Sequence, residues 1–371
     1  MHARTAVALL LGLILVGGQH RAQSQQRPQG FIPGIPTALN TSLSLIGAIA
    51  IPGLPLASTD LLWVDQASEK LYFSDRSNFG VDIIDVENDS YVGRITGFVG
   101  PTGPGGGGPN GLLVTPDNKL WAGDGNSTVQ VVDLNLNPPR IIRSIDTRGA
   151  MRADELGYDP ADHIILIGND RESPPFATVI SSDTYSILGQ IPFRDATGIE
   201  QPVWDPQLHR FLINVPAVRS YIAVVDPKTL SVSATYPIGS CAGTGLALGP
   251  FQRLLAACGA PFILNAVSGD VINQVTQVNG GDEVWYNSGD ARFFVTSTDN
   301  AGATVLGVID AQTSQWLQNV PAPGARNVAA FAGNNHVYAV VRAPAAGTTD
   351  TTLCAQFGIR GTGCVGVFAH K

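Results

Sequence analysis

The chain has 371 residues and a formal net charge of −8, and only 14% of its residues are charged. Because phosphate binding needs a basic stripe, this acidic balance argues against nucleic acid as a partner. The 42 Gly, the 25 Pro and the many short runs of Val, Ile and Thr are typical of an all-β protein rich in turns.

The first segment, residues 1–22, has the pattern of a secretory signal peptide. Arg4 precedes an apolar run from Ala6 to Gly18, and small or polar residues follow up to Ser24. A run of ~13 residues is shorter than the ~20 that a helix needs to cross a bilayer, which favours cleavage over a signal anchor. We therefore predict a secreted or periplasmic protein with no membrane span after cleavage.

Residues 23–43 are polar and Pro-rich without alternation, and they predict an extended lead. Beyond them the chain is an array. A single strand, SLIGAIAIPG (44–53), precedes seven copies of one pattern, which start at intervals of 50, 44, 46, 44, 38 and 45 residues. The copies open at Asp60, Asn110, Asp154, Glu200, Thr244, Asp282 and Asn327.

Each copy contains apolar strands separated by turns rich in Asp, Asn, Pro or Gly, which predicts a four-stranded propeller blade with strands A to D. The seventh copy ends at CVGVFAHK, a C-type strand, whereas 44–53 resembles strand D of the other copies. Pairing of these two segments would close the ring. The predicted fold is thus an all-β, seven-bladed β-propeller over residues 44–371, in which the N-terminal strand completes the last blade.

The turns and strand ends of these copies resemble the YVTN-type seven-bladed propellers, whose repeat has a P-D-G-like turn and a V-I-D strand ending. NGLLVTPDNKLWAGDG, from Asn110, also resembles the gluconolactonase and senescence-marker-type six-bladed propellers, which are metal-dependent lactonases. In those lactonases Glu, Asn and Asp hold a divalent metal at the channel mouth. The resemblance implies metal ligands at the matching positions Asp60, Asn110, Asp154, Glu200, Asp282 and Asn327.

The seven opening residues, here called the ring, start strand A of each blade and therefore meet at one mouth of the central channel. Crowded carboxylates are costly unless a cation or a shared proton lies among them, and Ca²⁺ or Mg²⁺ prefers such oxygen ligands. The alternative is that these Asp and Asn side chains bond to backbone N–H groups of tight turns, with Arg76, Arg171, Arg326 and Arg342 neutralising the ring.

For acid–base chemistry the candidates are Asp154, Glu200 and Asp282, since each begins a polar pair at the crowded mouth. Alternation places the following Glu155 and Glu283 on the other side of the strand, where they are equally well interpreted as inter-blade hydrogen-bonding groups. The acids that end strand C, such as Asp85, are interpreted as caps of the C–D turn.

His163, His209 and His336 fall in A–B turns on the far face, so a Ser-His-Asp arrangement has no base at the mouth. We expect two local disulfides, Cys241–Cys258 and Cys354–Cys364, because neither pair has the spacing of a zinc clamp and the compartment is oxidising. The aromatic residues of strand A are interpreted as packing between blades rather than as a stacking platform: Trp63, Tyr158, Trp204, Trp285 and Tyr286.

These observations predict a monomeric secreted propeller that binds a small polar ligand, with a divalent cation, at the acidic mouth. If it is an enzyme, metal-assisted hydrolysis or isomerisation of a lactone-like substrate is the closest class. The alternative is a non-catalytic propeller that binds a protein or cell-surface partner through its loops.

Overall fold

The structure, a computed structural model, describes residues 42–102, 106–239, 241 and 243–371, and all of them belong to one compact unit. The predicted signal peptide and most of the predicted lead lie outside the described residues. No helix of the described chain is long and apolar enough to cross a membrane.

Seven four-stranded antiparallel sheets form the blades, as predicted. Blade one contains β2 (Leu62–Asp65), β3 (Lys70–Asp75), β4 (Gly80–Asp85) and β5 (Ser90–Thr96). A small hairpin follows, β6 (Gly100–Pro101) and β7 (Gly107–Gly108). Blade two contains β8 (Leu112–Thr115), β9 (Lys119–Gly123), β10 (Thr128–Asp133) and β11 (Arg140–Asp146). Blade three contains β12 (Leu156–Asp159), β13 (Ile164–Asn169), β14 (Phe176–Ser181) and β15 (Ile187–Pro192).

The remaining blades repeat this order. Blade four contains β16 (Pro202–Asp205), β17 (Arg210–Val215), β18 (Ser220–Asp226) and β19 (Ser231–Gly239). Blade five contains β20 (Leu246–Leu248), β21 (Arg253–Ala256), β22 (Phe262–Asn265) and β23 (Val271–Gln274). Blade six contains β24 (Val284–Asn287), β25 (Arg292–Thr298), β26 (Thr304–Asp310) and β27 (Trp316–Pro321). Short 3₁₀ turns are formed by Arg76–Asn78, Pro250–Gln252 and Leu353–Phe357.

Blade seven closes the ring with both ends of the described chain. It contains β28 (Ala325–Phe331), β29 (His336–Val341), β30 (Cys364–His370) and, as its outermost strand, β1 (Leu43–Ala50). Leu43 pairs with His370 and Ala50 pairs with Cys364 in an antiparallel register. The predicted closure by an N-terminal strand is therefore confirmed, and the strand begins one residue before the predicted position 44.

One irregularity recurs in every blade: strand D skips one residue of its pairing with strand C. In blade one, Ile83 faces Gly93 whereas Ile84 faces Tyr91, so Val92 bulges out. The same shift passes over Ile46 of β1. A bulged residue loses its place in the ladder, which explains a set of exposed apolar side chains at these positions: Ile46, Val92, Ile142, Leu188, Ile272 and Leu317.

The core consists of seven apolar clusters, and each cluster joins two neighbouring blades. Phe211 of blade four packs with Leu166 of blade three, for example. The cluster between blades seven and one contains Tyr338 and Phe73. Because every blade buries both faces against neighbours, the seven sheets share one continuous core around the channel.

Aspartates that end strand A hold the A–B turns in place. The Asp205 carboxylate accepts from the backbone N–H of Gln207 at 2.8 Å and of Leu208 at 3.1 Å. The acids at the end of strand C act likewise: Asp85 accepts from the N–H of Glu87 and Asn88. Their interpretation as turn caps is confirmed for Asp85, Asp133, Asp226 and Asp310, whereas Asp183 bonds to His163 instead.

Candidate functional site at the channel mouth

Equivalent backbone hydrogen bonds fix four ring residues, Asp60, Asn110, Asp154 and Glu200, at one level of the channel. The N–H of Asp60 donates to the carbonyl of Ser74 at 2.9 Å, and Asp154 and Glu200 make the matching bonds at 2.8 Å. Each bond joins the start of strand A to the end of strand B. The repeated backbone geometry therefore places the side chains of these residues at the same mouth of the channel.

Four ring carboxyl groups lie close enough to act on one another: Asp60, Asp154, Glu200 and Asp282. Burial raises the pKa of Asp154 well above its usual range, and the charges of Asp170, Asp60 and Glu200 raise it further against the opposing effect of Arg152. Burial also raises the pKa of Glu200 to about 8, with Asp170 as the next cause. The mouth is thus an acidic cluster in which several carboxyl groups favour the protonated form.

Arg152 is the residue that sequence reasoning missed. Its guanidinium contacts Asp154 at 2.5 Å and Asp170 at 2.7 Å, and its side chain is only 10% exposed. The charges of these two acids outweigh burial and raise the pKa of Arg152. The predicted partner Arg171 instead lies 41% exposed beside Asp170. The position of Arg152, two residues before a ring acid, was the available signal in the sequence.

A second buried arginine joins two ring residues. Arg76 bonds to the Asp60 carboxylate, and its Nε donates to Asn110 Oδ1 at 2.9 Å. The Asn110 Nδ2 donates to the carbonyl of Ala153 at 2.7 Å. Asn110 is therefore fully engaged as a link between blades one, two and three.

Thr244, the ring residue of blade five, also links blades, because its hydroxyl donates to the carbonyls of Gly281 and Asp282. Arg342 donates to the Thr59 carbonyl at 2.6 Å, so it holds the loop before Asp60. Asn327 is fully buried beside Glu283. Thr244, Arg342 and Asn327 therefore each contact a neighbouring blade at the mouth.

Glu155 and Glu283 lie one residue beyond the ring positions of blades three and six. Both are buried, and burial raises the pKa of each well above its usual range. Gly111 and Gly245 let the strands approach there, because a Cβ atom would lie 2.4 Å from the Glu155 Cα and 2.9 Å from the Glu283 Cα, respectively. Glu155 Oε2 and Asp154 Oδ1 have no hydrogen-bond partner among the described residues. Buried oxygens of this kind are normally met by water or by a ligand.

Two ring carboxyl groups, those of Glu200 and Asp282, contact no buried arginine of the described chain. The Glu200 carboxyl bonds to no described residue. The Asp282 side chain is 37% exposed and pairs with the 48% exposed Arg326 at 3.3 Å. Asp282 and Arg326 line a polar cavity of about 440 Å³ between the D–A loops of blades six and seven, together with backbone and hydroxyl groups of Asn279–Gly281 and Thr296–Thr298.

The donor set fits a divalent cation poorly in this arrangement. No group of three or more His, Cys, Asp or Glu side chains in the described chain converges on a single point. Arg76 and Arg152 already neutralise Asp60 and Asp154, and the only acceptor oxygen of the Asn110 side chain is occupied by Arg76. The set Asp60, Asn110, Asp154, Glu200, Asp282 and Asn327 therefore stays a prediction as a metal site.

Both predicted disulfides are present. Cys241–Cys258 links the loop before Thr244 to the end of β21. It therefore restrains the position of this loop at the mouth, beside blade five. The two bonds suggest an oxidising compartment. His163 and His336 pair with Asp183 and Asp89 on the far face, in agreement with their predicted distance from the mouth.

The fold and the mouth together define the class of seven-bladed β-propellers. A chain of the "Crystal Structure of Mitotic Checkpoint Complex" superposes with a TM-score of 0.62 over 90% of this chain and 96% of that chain, at 11% sequence identity. At this identity the likeness establishes the fold alone. Neither a protein-family profile nor a curated protein matches the sequence.

Proposed function

We propose that the channel mouth binds a small polar ligand whose hydrogen-bond donors face Glu200 and Asp282 and whose acceptor faces Arg326. The observation that carries this proposal is the partly exposed ion pair of Asp282 and Arg326 on a 440 Å³ polar cavity, with the Glu200 carboxyl close enough to act on Asp282. Cavities of this size accommodate small organic ligands, and a few convergent polar groups supply their specificity. From the predicted signal peptide and the two disulfides, we propose a secreted or periplasmic location.

A thermal-shift screen of sugars, lactones and amines tests the proposal, with separate titrations of Ca²⁺, Mg²⁺, Mn²⁺ and Zn²⁺. We expect at least one organic compound to raise the melting temperature and the shift to be lost in Asp282→Asn and Arg326→Gln. Asp270→Asn, on the opposite face, is the charge-matched control. The proposal fails if no compound stabilises the protein, and the cation prediction fails if no ion does.

If the mouth is catalytic, Glu200 is the best-suited acid–base group of the three predicted. A pKa of about 8 allows a carboxyl group to exchange a proton near neutral pH. Asp154 is held by Arg152, and Asp282 lies at the rim. Hydrolysis or isomerisation of a lactone-like compound is then the reaction to assay. Its loss in Glu200→Gln, with ligand binding retained, would support catalysis.

A protein partner is the second candidate, because the loops of the mouth face display apolar side chains. Val218 is 93% exposed and Leu54 is 59% exposed, and Phe79 and Met151 are also exposed. Val271→Ser, on the outermost strand of blade five, is the control. A partner that binds this control but no longer binds Phe79→Ser and Val218→Ser would favour this function over small-ligand binding.

A further inference from the structure

A second recess occupies the channel at the end opposite the mouth. It has a volume of about 470 Å³, and strand A residues of blades one to six line it. The lining extends from Gln201, next to the ring position of blade four, to Pro206 in the A–B turn. At ~3.3 Å per strand residue, this span corresponds to a depth of about 16 Å.

Five aromatic side chains are among the residues that line this recess: Trp63, Tyr158, Trp204, Trp285 and Tyr286. All five are only partly buried. The Trp63 and Trp285 rings meet edge to face with centroids 5.6 Å apart. These rings therefore have two roles. They pack between blades, as predicted, and they also present apolar surface to the channel.

Gln201 supplies a hydrogen-bonding group at the inner end. Its Oε1 accepts from the backbone N–H of Leu246 at 2.9 Å, which fixes the side-chain amide. The Nε2 group has no partner among the described residues. The recess thus combines apolar, ring-lined walls with one fixed donor. No charged side chain is among the residues that line it.

We propose that this recess binds an uncharged, mainly apolar small molecule with a flat ring system and one hydrogen-bond acceptor at its inner end. A volume of this size suits a molecule of two or three fused rings, and aromatic walls favour flat ring systems through edge and stacking contacts. The recess is distinct from the polar cavity at the mouth, because no described residue lines both.

Prodan, an uncharged naphthalene ketone, is a suitable probe. We expect saturable one-to-one binding at roughly micromolar concentration, detected by energy transfer from the tryptophans to the probe. Leu248→Trp, which fills the recess, should weaken binding by about tenfold or more while the protein stays folded. Val114→Trp, on another wall, provides an independent filling variant. Val271→Trp, at an exposed site of the same blade five, should leave binding unchanged.

The donor is tested with Gln201→Leu and two probes. Prodan should lose several-fold in affinity, whereas 2-dimethylaminonaphthalene, which lacks the ketone, should not. The ratio of the two affinities cancels any general loss of packing. The proposal is overturned if the folded protein gives no saturable signal or if both filling variants bind prodan like Val271→Trp. It is also overturned if the protein binds a second copy of itself at the recess and thereby keeps prodan out.

Discussion

Glu200 combines a fixed backbone with a free carboxyl group. Its N–H is held by Asn214, while burial and Asp170 raise the pKa of its side chain from 4.5 to about 8. Between these values the folded state retains a proton that the unfolded state has released. The free energy of unfolding therefore decreases as pH rises from about 4.5 to about 8.

Glu200→Gln should remove this dependence. We expect no change at pH 4.5 and a gain on the order of 2 kcal/mol at pH 8.5, less than the full shift implies because Glu200 is only partly shielded from solvent. Urea unfolding across this pH range measures it. Asp133→Asn is the control of opposite sign, since the Asn135 N–H lowers the pKa of Asp133 and its contribution disappears in acid. Parallel curves for wild type and Glu200→Gln would contradict the prediction.

Arg152 is a largely buried cation that contacts two acids at the mouth. Arg152→Met removes the buried partner of the Asp154 and Asp170 carboxylates, and losing one member of a buried ion pair costs about 3–5 kcal/mol. Chemical denaturation at pH 7.5 should show this loss, and adding Asp154→Asn should restore part of it. Equal stability of Arg152→Met and wild type would show that the acids are already neutral.

At the scale of elements, strand β1 closes the ring by pairing with β30 in blade seven. Leu43 is 1% exposed and packs in the cluster between blades six and seven, whereas Ile46, in the bulge of the same strand, is 48% exposed. Leu43→Ala should cost about 2–5 kcal/mol, as at other core sites. Ile46→Ala should change the free energy of unfolding by less than about 0.5 kcal/mol. Equal effects would mean that β1 is not packed as described.

The blades were predictable from the sequence, because alternation and turn residues such as Asp205 are local signals. The position of the ring was predictable too, since each ring residue opens a copy of the repeat. The pairing of Arg152 with Asp170 was not predictable, because it depends on how a D–A loop folds over the strand B end of its own blade. The exposure of Ile46 and Val92 was likewise hidden, since a bulge interrupts the alternation that sequence patterns assume.

At the scale of the whole molecule, seven shared clusters predict a single unfolding transition. Calorimetric and van't Hoff enthalpies should agree. Reduction of Cys241–Cys258 and Cys354–Cys364, which close loops of 17 and 10 residues, should lower stability by roughly 3 kcal/mol each without splitting the transition. Two separate transitions after reduction would show that blade five or blade seven can detach from the ring.

The seven bulges have a consequence for encounters between molecules. Every blade ends in an outermost strand with unpaired backbone groups, and such edges are templates on which another chain can add a strand. A bulge bends the edge and breaks its regular spacing of donors and acceptors. The apolar side chains that the bulges expose therefore lie on edges that extended segments of other chains cannot easily join. At high concentration, resistance to amyloid-like growth should follow from this repeated irregularity rather than from charge.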